Sequence, residues 1–314
     1  MTAVPRQRQP RRALHGVLLL DKPLGWSSND ALQKAKGIFR AEKAGHTGTL
    51  DPLATGLLPI CFGAATKFSQ VSLDADKDYR ATLCLGQTRA GGDLEGEVLL
   101  ERPVDGVTHE AIQAACAAFT GAIEQLPPMH SALKKDGKAL YEYARAGVEV
   151  ERTPRAVTIH SIDIVAWNAA AHELVIDVRC SKGTYIRTLA EDIGERLGCG
   201  AHLAALRRTA SGALRVDDAV TLDALQAMEA GERDALLRSP DALLADWPAV
   251  RLDQSEAGRF LSGLRRRLPS EPDRPQVRVY GPQPKALLGA AHITAGELIP
   301  DRLLSPIEVQ ALVA

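Results

Sequence analysis

The chain has 314 residues, 45% of them hydrophobic and 25% charged, which suits a globular protein of more than one domain and excludes disordered and collagen-like chains. Its formal net charge is −1, so net charge alone points to no polyanionic partner. No apolar run is long enough to cross a bilayer, and no membrane association is predicted.

The amino-terminal MTAVPRQRQPRRALHG lacks the apolar core of a signal peptide, which predicts a cytoplasmic protein. Residues 1–14 read as a disordered basic tail. Charge is unevenly spread: residues 1–45 carry nine Lys and Arg against three acids, and residues 217–256 carry ten acids against three arginines. Such separation allows a basic face on a neutral protein, the footprint of nucleic-acid binding.

GVLLLDKP is a short apolar run ending in a Pro-Leu-Gly turn and predicts a strand. SSNDALQKAKGIF predicts a helix capped by Ser27 or Ser28, with Leu32, Ala35 and Ile38 on one face. The loop GHTGTLDPLATG (residues 45–56) follows, with the lone carboxylate of Asp51 among glycines, threonines and a proline. GLLPICFG predicts a buried strand, and DYRATLCLG a strand with Tyr79, Ala81, Leu83 and Leu85 on one face. THEAIQAACAAFTG is an amphipathic helix through Ile112, Ala115, Cys116 and Phe119.

The texture then changes. Residues 127–153 hold paired prolines and a basic cluster, Lys134, Lys135 and Lys138, beside Tyr141, Tyr143 and Arg145. Basic residues interleaved with aromatics suit a segment that grips RNA by charge and stacking. AVTIHSIDIVAWN and HELVIDVRCS predict strands, SKGTYIRTLAEDIGERLG a helix with Ile186, Leu189, Ile193 and Leu197 inward, and the acidic 217–256 stretch short helices. The irregular order of strands and helices predicts an α+β fold with a mixed, mainly antiparallel sheet. After Trp247 and Pro248 a small β-rich unit is predicted over 248–314.

The five cysteines form no CxxC pair, the eight histidines no HExxH, and neither GxxxxGK[ST] nor GxGxxG occurs. No metal and no cofactor is predicted.

Five stretches, LLLDKPLGWSS, AGHTGTLDPLATGLLPICFGAATK, KDYRATLCLGQ, QLPPMHSALKKDGKALYEYAR and RCSKGTYIRTLAEDIG, occur in this order and together resemble the TruB-type tRNA pseudouridine synthases of the stand-alone bacterial kind. The resemblance implies the pseudouridine synthase fold over 15–247, with an RNA-gripping thumb insertion at about 127–153 and a PUA-like RNA-binding domain over 248–314. It implies isomerisation of the tRNA T-loop uridine conventionally numbered 55, on the T arm of tRNA and in a reaction that needs no cofactor; no protein partner is implied, and a monomer is expected.

By match to the family motifs, Asp51 is the catalytic carboxylate, Arg187 its paired cation, and Tyr79 the ring that packs on the target base and a candidate for the late proton transfer from C5. His46 matches the histidine that fills the space of the flipped base, with Gly45, Thr47 and Gly48 beside it at the RNA. Tyr185 is a further wall of the base pocket, Lys22 and Leu206 contribute near the site, and Lys134, Lys135 and Arg145 contact RNA from the thumb, joined by Arg265, Arg266 and Arg267 of the carboxyl-terminal unit.

Three other readings compete. A synthase of the dyskerin or Cbf5 kind would need a guide RNA; against it stands the full thumb insertion. A non-catalytic tRNA-folding chaperone would have no use for Asp51, Tyr79 and Arg187 together. An aspartate-nucleophile hydrolase would need a second carboxylate near Asp51 to hold magnesium.

Overall fold

The structure, a computed structural model, describes residues 10–282 and 286–313. Two compact units form: one from the residues up to Leu50, Leu57–Leu73 and everything from Gly212 onward, the other from Asp51–Gly56 and Asp74–Ser211.

The second unit is an antiparallel sheet with strands in the order Ala201–Ser211, Lys77–Leu85, Glu173–Cys180, Arg155–Asn168, Gly121–Gln125. Alternation places Ala81, Leu83 and Leu85 of one strand and Leu174, Ile176 and Val178 of the next in one core, with Arg80 facing solvent. The helices His109–Ala118 and Ile186–Arg196 close that core with Ile112, Ala115, Ile186, Leu189 and Ile193. Thr108 caps the first of them by accepting the Ala111 N–H at 3.2 Å. The second was expected from residue 181 but begins at Ile186. Before it, the Thr184 hydroxyl donates to the Ser181 carbonyl at 2.9 Å and holds a turn.

Ala201–Ser211 was not foreseen as a strand, although it is central. Two bulges, between Leu203 and Ala205 and between Arg208 and Ala210, break its alternation, so no period-2 pattern survives in AHLAALRRTAS. It runs parallel to the first residues of Ala54–Phe62, where Gly56 lies opposite Arg208. Gly56 has φ +98°, and a Cβ there would lie 2.3 Å from the Arg208 carbonyl oxygen. Gly56→Ala is therefore expected to cost about 3 kcal/mol, from the strained conformation and forced overpacking. Gly45→Ala, where a Cβ would meet nothing within 4 Å, should be near neutral. Chemical denaturation of the two variants checks this.

In the first unit, Gly16–Lys22 lies between Val220–Thr221 and Ala54–Phe62, and Ala44–His46 pairs antiparallel with Ile60–Phe62. Helix Ser28–Phe39 is capped by Ser27, whose hydroxyl accepts the Asp30 N–H at 3.1 Å. The β-rich carboxyl-terminal part is a five-stranded sheet in the order Ala249–Arg251, Arg274–Tyr280, Leu287–Thr294, Glu297–Leu303, Arg266–Arg267. One face buries Val250, Val277, Val279, Leu288 and Leu298 with Phe260. Tyr280, Leu287, Ala290 and Leu304 instead pack with Val17, Leu19, Leu57, Phe68 and Leu244. The sheet is buried on both sides, so it shares a core with the segments before it. The fold is thus α+β, a mixed and mainly antiparallel sheet flanked by helices plus a small carboxyl-terminal sheet.

The acidic stretch forms the expected short helices, Leu222–Ala227 and Ala230–Ala235. Residues 1–9 of the expected tail lie outside the described residues, but the chain is held from Pro10 on. The Arg12 N–H donates to the Arg40 carbonyl at 2.7 Å, and the Arg12 guanidinium pairs with Asp234. The Arg40 guanidinium donates to the Pro10 carbonyl at 2.7 Å. Part of the basic amino-terminal charge is thereby neutralised within the unit by the acidic stretch.

Candidate active site

The loop that carries Asp51 is tied down along its length. Thr47 is buried, its hydroxyl 2.9 Å from that of Ser72 and its N–H donating to the Pro59 carbonyl at 3.1 Å. Thr47 is thus a structural anchor, not the RNA contact expected of it. Gly48 takes φ +75°, the left-handed region that favours glycine. Ser28, buried at the start of its helix, accepts the Leu50 N–H at 2.7 Å and donates to the Leu50 carbonyl at 3.0 Å. Both backbone groups of the residue before Asp51 are fixed in this way. The Asp51 carbonyl accepts the Ala54 N–H at 3.0 Å, closing a turn through Pro52.

Asp51 projects a half-exposed carboxylate, 48% accessible, whose Oδ2 lies 3.0 Å from Nη2 of Arg187. Arg187 is buried. Its Nη1 donates to the Gly91 carbonyl at 3.2 Å and lies 3.4 Å from Oδ2 of Asp93; its Nη2 donates to the His130 carbonyl at 2.6 Å. The guanidinium stands in the first helical turn, where amide dipoles disfavour a cation, and two carboxylates offset that cost. Gly91 and Gly92, with φ +81° and +76°, turn the chain so that Asp93 reaches it. Glu191, packed against Gly92, has its carboxyl pushed up to about 7 by burial and by Asp192.

Tyr79 lies beside Arg208 in the sheet register, and its phenol hydrogen bonds with the Arg208 guanidinium. Burial raises the phenol pKa and Arg208 opposes the rise, while the charge of Asp51 adds to it. The phenol keeps its proton at neutral pH. Burial lowers the pKa of Arg208 and, with Arg208 beside it, that of Lys77 to about 8. Tyr185, directly before the helix that carries Arg187, is half-buried and its phenol is raised by burial. Leu206 packs on the same core as Tyr79.

The structure therefore brings Asp51, Tyr79, Arg187, Tyr185 and Leu206 into one unit. Lys22, Gly45, His46, Thr47 and Gly48 belong to the other. Lys22 is fully buried, with its ammonium donating to the carbonyls of Pro23 at 3.0 Å and Trp26 at 2.6 Å. It holds the turn after strand Gly16–Lys22 from inside the protein. His46 is half-buried at the end of its strand, paired with Ile60.

In the thumb segment a two-residue hairpin, Lys134–Lys135 with Lys138–Ala139, precedes helix Leu140–Arg145. Lys134 is exposed, the Lys135 ammonium donates to the Glu151 carbonyl at 2.7 Å, and Arg145 lies over the Tyr141 ring. Of the carboxyl-terminal arginines, Arg265 pairs with Glu297 and Arg266 with Glu256, while Arg267 is exposed.

Three polar residues at the site were missed by sequence reasoning: Asp93, Arg208 and Glu191. The signal for Asp93 was the Gly-Gly turn before it. Arg208 carried none, because one arginine of a pair reads as solvent-exposed.

Comparison with known proteins agrees along the length of the chain. Residues 36–186 match the model of the TruB family pseudouridylate synthase N-terminal domain, residues 187–245 that of the tRNA pseudouridylate synthase B C-terminal domain, and residues 248–304 that of pseudouridine synthase II TruB, C-terminal. The tRNA pseudouridine synthase B of Verminephrobacter eiseniae (strain EF01-2) is 57% identical over 318 residues, covering 100% of this chain and 96% of that protein. That of Ralstonia pickettii (strain 12J) is 59% identical over 314 residues, covering 96% and 98%. Among solved structures, the archaeal box H/ACA sRNP Nop10-Cbf5 complex shares the fold, with a TM-score of 0.71 at 23% identity over 95% of this chain and 88% of that one. With the identity to full-length relatives and the three consecutive family matches, the chain belongs to the TruB family of pseudouridylate synthases.

Proposed function

We propose that this chain isomerises the tRNA T-loop uridine conventionally numbered 55 to pseudouridine, with Asp51 as the catalytic carboxylate. The observation that carries this reading is the Asp51–Arg187 pair: a half-exposed carboxylate at 3.0 Å from a buried guanidinium. The reaction breaks the bond from ribose C1′ to uracil N1, turns the base and joins C1′ to C5; N1 gains a proton and C5 loses one. A carboxylate can serve by adding to an electrophilic carbon or by taking and returning a ribose proton. Both roles need the ionised form, and Arg187 stands 3.0 Å away as its counter-ion.

Tyr79, protonated and held by Arg208, packs on the base. Tyr185 and Leu206 complete its surroundings. The target uridine is flipped out of the tRNA elbow at a cost of about a few kcal/mol, and His46 takes its place, returning about 1 to 3 kcal/mol by stacking. Lys134 and Arg145 of the thumb and Arg267 of the carboxyl-terminal sheet supply phosphate contacts, and the protein works as a cytoplasmic monomer.

The test uses a bare tRNA transcript carrying tritium at uridine C5. Release of tritium and pseudouridine at the T-loop position are expected without a guide RNA; a requirement for guide RNA would overturn the stand-alone reading. Affinity is expected to fall linearly in log–log form with salt. Each exposed cation replaced, Lys134→Ala for example, should lower the slope by about 0.7 to 0.9. A slope unchanged from 50 to 200 mM salt would rule out the electrostatic grip.

A further inference from the structure

The helix that carries Arg187 begins without a cap of its own. Tyr185 occupies the capping position, and its side chain makes no capping bond to the helix. Its carbonyl already accepts the Leu189 N–H at 3.1 Å, the first bond of the helix. The Tyr185 N–H and the second lone pair of its carbonyl are met from far away in sequence. Gln125, the last residue of strand Gly121–Gln125, accepts the Tyr185 N–H on Oε1 at 3.0 Å and donates from Nε2 to the Tyr185 carbonyl at 3.2 Å. Gln125 is 1% exposed. A buried amide is costly unless its hydrogen bonds are made, and here both go to one backbone residue.

We propose that Gln125 is a positioning residue for Arg187: by clamping both backbone groups of Tyr185 it fixes the start of the Ile186–Arg196 helix and aims the guanidinium at Asp51. This rests on the role assigned above to the Asp51–Arg187 pair.

The need for such a clamp follows from what Arg187 does. It is the second residue of the helix, where the dipole disfavours a cation, so the helix end that must be best defined is under electrostatic load. Its rigid fork addresses acceptors on three separate segments: Asp51, the Gly91–Asp93 turn and His130. A planar guanidinium meets all of these only over a narrow range of angles. A small shift of the first turn would lose Asp51, whose side chain has the most freedom of the set. Gln125 also leads directly into Leu126, Pro127 and Pro128 and so to His130, whose carbonyl accepts from Arg187. The root of the thumb and the start of the helix are thus fixed to each other at two points.

The experiment compares Gln125→Ala and Gln125→Glu in the full chain with the core variant Leu174→Ala. Single-turnover pseudouridine formation at saturating tRNA, tRNA Kd, melting temperature and the Arg187 Nε–Hε resonance, identified by its loss in Arg187→Lys, are measured for each. Gln125→Ala is expected to lower the rate about tenfold, since misplacement of 1 Å can cost about 100-fold, with Kd within about twofold and the resonance moved. Gln125→Glu keeps an acceptor for the Tyr185 N–H but loses the donor, and should fall between. A rate within about twofold of the parent, a loss confined to Kd, an unmoved resonance, or an equal rate loss in Leu174→Ala at matched thermal destabilisation would overturn the proposal. If Gln125→Ala does not fold, Gln125→Glu carries the same comparisons. An inactive parent whose Arg187 resonance still moves in Gln125→Ala would defeat the reaction assigned to the site while supporting the clamp.

Discussion

Asp51→Asn is expected to abolish tritium release from C5-labelled tRNA, lowering the single-turnover rate by about 10³-fold or more, while tRNA Kd stays within about threefold. The magnitude follows from removing a group required as nucleophile or proton carrier. Asn has the shape of Asp and can still accept a hydrogen bond from Arg187, so what is lost is charge and reactivity. Arg187 keeps Asp93 and the carbonyls of Gly91 and His130, so the guanidinium is not left bare. Because the Asp51 carboxylate is half exposed, its ion pair is screened, and stability should change by no more than about 1 kcal/mol. In the proposed function the tRNA is held by phosphate contacts made elsewhere, and removing a negative charge does not weaken those. Undiminished turnover in this variant would sink the catalytic assignment, and loss of binding in step with turnover would make Asp51 a recognition residue.

The second large effect is expected from Arg187→Met. Here the loss is structural as well as chemical. Asp93, with a side chain 12% exposed, and the carbonyls of Gly91 and His130 would lose the buried cation they pair with. Truncating one partner of a buried pair costs about 3 to 5 kcal/mol, and the partial exposure of Asp51 places this variant toward the lower figure. Arg187→Lys keeps the charge but has one nitrogen for acceptors spread over two nitrogens of a fork. It should fold nearly as well as the parent and still lose about 10²-fold in rate. Denaturant titration together with single-turnover kinetics separates the two variants. Equal stability of Arg187→Met and parent would show that Asp93 and the carbonyls do not depend on the guanidinium. Combining Asp51→Asn with Arg187→Met should add little further rate loss, as expected for two groups that act as a unit.

What could be read from the sequence and what could not divide along physical lines. Local signals held: Ser27 before an apolar periodicity marked the first helix, and Tyr79, Ala81, Leu83 and Leu85 marked a strand face. Asp51, Tyr79 and Arg187 were named through family motifs, because nothing in their spacing says that residues 51 and 187 form an ion pair. Thr47 was expected at the RNA and Lys22 near the site, yet both are buried and bonded within the protein. Proximity along a motif does not tell an outward side chain from an inward one. Arg208 was missed for the opposite reason, since a fully buried guanidinium needs a partner that only the sheet register supplies, here Tyr79. The charge separation along the chain was read as a basic face, but folding spends part of it internally, as Arg12 on Asp234.

The two-sided burial of the carboxyl-terminal sheet bears on how such a segment can be exchanged between relatives. A cassette that begins at residue 248 would carry Tyr280, Leu287 and Leu304 but leave behind Leu57, Phe68 and Leu244, against which they pack. A chimera that swaps the segment alone would join two surfaces shaped for other neighbours, and overpacking or voids at that seam destabilise. Inheritance of this sheet is therefore tied to strand Ala54–Phe62 and to the short helical segments Gly63–Phe68 and Pro240–Leu244, and the residues at the seam should change together or not at all.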